Sequence, residues 1–78
     1  MDDKRYTEVR EAKDVTPEVM AIAEYATEFY EDRIEWEDVW DRMDGSTLAD
    51  GSVLDMGGSS DSAAMRTIKR RINASRQS

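Results

Sequence analysis

The stretch Thr16-Pro17-Glu18-Val19-Met20-Ala21-Ile22-Ala23-Glu24-Tyr25-Ala26-Thr27-Glu28-Phe29-Tyr30 decides the fold class on a first reading. Thr16 is a good N-cap, Pro17 suits the first helical position, and Glu18 complements the positive end of the helix dipole. Val19, Ile22, Ala23, Ala26, Phe29 and Tyr30 then recur at the i, i+3, i+4, i+7 spacing of a helix with one buried face. The spacing predicts a helix over residues 16–31. Ala23 and Ala26 are small enough to let a second helix approach closely, which also leaves room for a homodimer.

Working outward, Trp36, Val39, Trp40 and Met43 repeat the same spacing. Positions 19, 22, 26, 29, 36, 40 and 43 would fit one long heptad seam, because residues 31–35 hold no Gly or Pro. Against a single helix, Ile34 and Trp36 would lie about 200° apart on it, turning one of them away from the core. A break near 32–35 lets Ile34 staple against Val39 and places Asp38 at the third helical position. The expectation is therefore a second helix over 35–43, closed by Gly45 in the left-handed conformation. Asp44-Gly45-Ser46, Asp50-Gly51-Ser52 and Gly57-Gly58-Ser59-Ser60 are turn signals, yet Leu48, Val53, Leu54 and Met56 make this stretch too apolar for a free linker. Ser52–Asp55 reads as a short extended piece laid over the helices. A third helix, capped by Ser60 or Asp61, is expected over 60–74 with Ala64, Met65, Ile68 and Ile72 as its apolar stripe.

The fold expectation is all-α: a small three-helix bundle with a packed Gly/Ser/Asp-rich loop between helices 2 and 3. Residues 1–15 are expected to form a charged N-terminal arm docking through Tyr6, residues 16–75 a single helical domain, and 76–78 a tail. The expected core is Val19, Ile22, Ala26, Phe29, Trp36, Val39, Trp40, Leu54, Met65, Ile68 and Ile72. At 78 residues the chain has room for one domain. A chain of that size buries about 60–65% of its unfolded surface and has on the order of 4–10 kcal/mol of stability. No long apolar run and no signal-type N-terminus are present, so a cytoplasmic location is expected.

Charge is split end to end. Residues 1–62 carry all 18 acidic residues against six basic ones, a balance of −12. Residues 63–78 carry Arg66, Lys69, Arg70, Arg71 and Arg76 with no acid, a balance of +5. The chain has no His and no Cys, which removes Ser-His and Cys-His nucleophile pairs and His or thiolate zinc sites. Glu35, Asp38 and Asp41 fall on adjacent helical turns, but a general acid needs a pocket that raises its pKa, and a domain this small seldom has one. No enzyme activity, metal or cofactor is expected. The Asp-Gly-Ser repeats miss the ligand spacing of a calcium loop and read as turns. Gly57-Gly58-Ser59-Ser60 lacks the Lys of a phosphate-binding loop.

Two charged surfaces remain as candidates. Glu28, Glu31, Glu35 and Asp38, with Trp36 and Trp40 among them, form a protein-binding candidate, since Trp is enriched at binding hot spots. The same carboxylates suggest an acidic mimic of nucleic acid. Arg66, Lys69, Arg70 and Arg71 are the nucleic-acid-binding candidates. Their structural alternative is pairing with the acidic body and complementing the helix C-terminal dipole.

The segment Ile34-Glu35-Trp36-Glu37-Asp38-Val39-Trp40-Asp41-Arg42-Met43-Asp44-Gly45, the following Leu48-Ala49-Asp50-Gly51-Ser52-Val53-Leu54-Asp55, and Asp61–Arg70 resemble short uncharacterised accessory proteins of actinobacterial phages. That resemblance implies a phage-encoded accessory protein acting on a host factor in the host cytoplasm, and it carries no catalytic residue. The functional expectation is a non-enzymatic, acidic protein-binding module. A nucleic-acid binder using the last helix and an acidic nucleic-acid mimic are the alternatives.

Overall fold

A computed structural model describes residues 5–77; residues 1–4 of the expected arm and Ser78 of the expected tail lie outside that range. The order of elements is β1 (Tyr6–Glu8), a 3-10 turn (Ala12–Asp14), α1 (Pro17–Thr27), α2 (Trp36–Met43), β2 (Val53–Asp55) and α3 (Ala63–Arg76). The all-α expectation is overturned: β1 and β2 form a two-stranded parallel sheet, pairing Tyr6 with Val53, Thr7 with Leu54 and Glu8 with Asp55. The molecule is an α+β domain and not a helical bundle. The extended piece expected at Ser52–Asp55 is real, but it pairs with another strand.

The reason lies in the N-terminal segment. Tyr6-Thr7-Glu8 is too short and too polar to show a period-2 signal. Its backbone partners come from far along the chain: the Val53 N–H donates to the Arg5 carbonyl at 2.8 Å, and the Val9 N–H to the Asp55 carbonyl at 2.9 Å. The other edge of β2 is closed by the turn after α2, where the Gly45 N–H donates to Leu54 O at 2.8 Å and the Leu54 N–H to Ser46 O at 2.7 Å. Thr7 and Ser52 add a hydroxyl–hydroxyl contact of 2.7 Å across the sheet. Tyr6, the expected anchor, is 58% exposed, whereas Val9 is fully buried.

Arg10 ties three elements at the end of β1. Its guanidinium donates to the Asp55 carbonyl at 2.6 Å and pairs with the Asp55 carboxylate at 3.1 Å, and its own carbonyl accepts from the Ala64 N–H. Its backbone N–H donates to Asp14 Oδ2, which fixes the 3-10 turn beneath α3. Gly57, at φ +87°, lets the chain turn against this guanidinium; a Cβ there would lie 3.2 Å from Arg10 Nε.

Locally encoded features formed as the residues dictate. Thr16 Oγ1 accepts from the Val19 N–H at 3.2 Å, capping α1. The break between α1 and α2 is present, Ile34 and Val39 are both buried, and Gly45 follows α2 at φ +88°. α1 nevertheless stops at Thr27, short of the expected end near 31. Thr27 Oγ1 donates back to the Glu24 carbonyl, and the Glu28 and Tyr30 N–H groups bond three residues back, the tightened last turn of a helix that is ending. Arg76 then donates to the Tyr30 and Glu31 carbonyls, satisfying acceptors that a longer helix would have used internally. α3 begins later than expected because Ser62, not Ser60 or Asp61, accepts from the Met65 N–H.

The core includes Val19, Ala26, Val39, Leu54, Met65, Ile68 and Ile72 as expected, and adds Val9, Ala23, Met43 and Met56. Met43, Met56 and Met65 are among its largest fully buried side chains; flexible thioethers fill the irregular space between a short sheet and three unequal helices. Ile22, Trp36 and Trp40 only pack against the core edge. Phe29, expected inside, is 63% exposed. Among the described residues no helix is long and apolar enough to cross a membrane.

Candidate functional site: an aromatic groove between α1 and α2

The exposure of Phe29 follows from its angle on α1. Val19, Ala23 and Ala26 point at the core. At 100° per residue, Phe29 and Tyr25 lie about 80° and 120° round from Val19, on the flank of that stripe. Phe29 also sits beyond the last helical residue. Both rings consequently face outward, with Tyr25 68% exposed. They meet edge to face, centroids 6.1 Å apart and planes at 79°, the arrangement favoured by aromatic quadrupoles.

This pair forms one wall of a groove of about 290 Å³ lined by Ile22, Tyr25, Ala26, Phe29, Arg42 and Ser46. The opposite wall is α2. Its Arg42 guanidinium stands 5.5 Å from the Phe29 ring centroid, a cation–π contact. Arg42 Nε donates to Asp38 Oδ2 at 3.1 Å, and the Tyr30 hydroxyl donates to that same oxygen. Asp38 thereby clamps the end of α1 to α2. The Tyr30 hydrogen bond, and then Arg42, hold the Asp38 carboxyl below its usual range. The same bond pushes the Tyr30 phenol up. Asp38 pairs with Arg42 at the groove. Of the acidic residues of α1 and its cap, Glu18 accepts from the Ala49 N–H at 2.6 Å, and Glu24 and Glu28 border a separate depression with Ile72 and Arg76.

The acidic candidates from the sequence do not form one surface. Glu35, Asp38 and Trp40 come together with Glu37 and Asp41 around a shallow depression on α2. Trp36 lies in a separate depression with Arg33, Asn73 and Arg76, which Glu35 also borders. Glu28 borders a third, with Ile72 and Arg76. Glu31 is exposed, and its carbonyl accepts from Arg76. Trp40 is half-buried, its Nε1–H donating to the Met56 carbonyl at 3.4 Å, which gives the indole a structural use. Sequence reasoning passed over Tyr25, Phe29 and Arg42 as a unit. The usable signal was the i, i+4 aromatic pair offset from the Val19–Ala23–Ala26 stripe.

On α3, Arg66, Arg70 and Arg71 are exposed and Lys69 is half-buried. Among the described residues the ion pairs are Arg10–Asp55 and Arg42–Asp38, so the expected pairing of α3 with the acidic body is not formed. Asp50 forms the expected Asx turn, accepting from the Ser52 N–H and hydroxyl, whereas Asp44 reaches across to the Met56 N–H. Among the described residues no group of three acidic side chains is placed to hold a metal ion.

No protein-family model matches the chain, and no curated protein or solved structure matches it significantly.

Proposed function

We propose that the protein is a non-enzymatic binding module that captures a protein segment in the α1–α2 groove. The observation that carries this reading is the outward-facing Tyr25–Phe29 pair, two large aromatic side chains left mostly exposed by a domain that has few to spare. Contiguous exposed apolar surface on a small domain marks an interaction site. The occupant is an amphipathic segment presenting aliphatic anchors to Tyr25, Phe29 and Ile22, with Lys or Arg on its flanks. The basic flanks are called for by the −12 balance of residues 1–62. A host factor met by a phage-encoded accessory protein is a partner of this kind.

The test uses a fluorescent helical peptide with Leu at i, i+3 and i+7 and Lys or Arg between them, titrated with the full chain. Binding is expected to be saturable, weakened at least about tenfold in Phe29→Ala, which corresponds to about 1.4 kcal/mol, and retained in Arg70→Gln. Because both rings are mostly exposed, Tyr25→Ala and Phe29→Ala should keep the parent circular dichroism spectrum. Equal binding of a peptide with Glu in place of Lys and Arg, or unchanged affinity in both aromatic variants, would refute the assignment.

A further inference from the structure

We infer that the outward row of α3, Arg66, Lys69, Arg70 and Asn73, is a docking surface for the phosphate backbone of duplex nucleic acid. These residues fall at i, i+3, i+4 and i+7, so they line one side of the helix over about 10 Å. The buried stripe of Ala64, Met65, Ile68 and Ile72 occupies the other side. No acidic residue occurs anywhere in 63–78.

The pairing pattern separates this surface from an ordinary solvated helix face. Had these cations served the fold, carboxylates would stand near them on the helix or on the body. The residues four positions before Arg66, Lys69 and Arg70 are Ser62, Met65 and Arg66. Arg66 and Arg70 are therefore a like-charged i, i+4 pair, which costs a few tenths of a kcal/mol. Among the described residues, both ion pairs lie between positions 10 and 55. Arg66 donates to an uncharged acceptor, the Asp61 carbonyl at 3.0 Å. The side chains of Lys69 and Arg70 have neither hydrogen bond nor ion pair among those residues. Among the described residues, no acidic side chain is paired with this row.

The chemistry of the row selects phosphodiester over other anions. Two guanidiniums and an ammonium on a straight helix suit repeated phosphate oxygens, which Arg binds in bidentate fashion. A bilayer surface would need exposed apolar residues beside the cations, and the apolar side of α3 is spent on the core. The major groove of a duplex is wide enough to admit an α-helix between its phosphate walls. Arg71, about 100° round from Arg70, lies off the row.

Magnitudes define the test. Three phosphate contacts give a slope of about −2.7 in log K against log salt, or an affinity about forty-fold weaker at 200 mM than at 50 mM. The acidic body opposes approach of a polyanion and three contacts give only modest affinity, so binding is expected below about 0.1 M salt, where counterion release favours it most. Fluorescence polarisation of a labelled DNA duplex of arbitrary sequence should show saturable binding with that slope. Lys69→Gln/Arg70→Gln should bring the slope to about −0.9, the value for one remaining contact, while thermal melting stays at the parental value or rises. Arg71→Gln should leave the slope nearly unchanged. Absence of binding at about 50 mM salt, or an unchanged slope in the double variant, would overturn the inference. So would binding to phosphatidylserine vesicles without binding to duplex. Phe29→Ala should leave duplex binding intact, which keeps this result independent of the peptide groove.

Discussion

Val9→Ala should destabilise the protein severely for a substitution in a segment that reads as a charged arm. Val9 is fully buried, follows β1 directly and bonds through its backbone to Asp55. Ala keeps that hydrogen bond and the strand register, so the change isolates side-chain packing. Two methyl groups are lost, about 0.8 kcal/mol each in transfer free energy, or about 1.6 kcal/mol. A void of roughly 40 Å³ that the surroundings fill only in part adds about 1 kcal/mol at about 24 cal/mol per Å³. The expected loss is about 2–3 kcal/mol, against a total on the order of 4–10 kcal/mol. With a urea m-value near 1 kcal/mol per molar for a domain this small, the unfolding midpoint should fall by about 2–3 M. Tyr6→Ala supplies the contrast: its ring is mostly exposed, and the loss should stay below about 1 kcal/mol. A Val9→Ala loss under about 0.5 kcal/mol would show that the N-terminal segment does not contribute to the core. A Tyr6→Ala loss exceeding that of Val9→Ala would return the anchoring role to the tyrosine.

Acid should destabilise the fold through four aspartates held below their usual pKa: Asp14 by the Arg10 and Glu11 N–H groups, Asp38 by Tyr30 and then Arg42, Asp50 by Ser52, and Asp55 by the Gly57 N–H and then Arg10. A depressed folded-state pKa means the stabilisation is complete above the unfolded value of about 3.9 and is lost as pH falls through the folded values. Melting temperature should therefore hold down to about pH 5 and drop below about pH 4, and a flat profile to about pH 3 would contradict these contacts. Gly57→Ala should cost about 1–2 kcal/mol, from a positive φ and the approach to Arg10, whereas Gly58→Ala, with open space around it, should stay within about 0.5 kcal/mol in urea melts. Equal effects at the two glycines would remove Arg10 as the fixed neighbour of the turn.

Several parts of this protein were written into short stretches of chain. The Thr16 cap, the Ile34–Val39 burial across the start of α2, the left-handed Gly45 and the Met65–Ile68–Ile72 stripe each depend on residues within a turn or two of one another, and all are present. The carboxyl-terminal concentration of cations was equally plain from composition. The sheet was not legible, because Tyr6-Thr7-Glu8 becomes a strand only when Val53-Leu54-Asp55 arrives beside it, and no local pattern encodes a partner more than 40 residues away. Phe29 shows the same division. Helical periodicity placed it at the margin of a stripe, and the end of α1 at Thr27, reinforced by Arg76 reaching the Tyr30 and Glu31 carbonyls, left it outside. That turned a presumed core residue into the wall of a groove. The charge count likewise suggested that the acidic body would neutralise the last helix. Ion pairs form only between side chains that packing brings within a few ångströms, and the packing of α3 brought none to Lys69 and Arg70 among the described residues. Local chemistry determined the segments and their caps; the tertiary contacts decided which of their faces were left to meet something else.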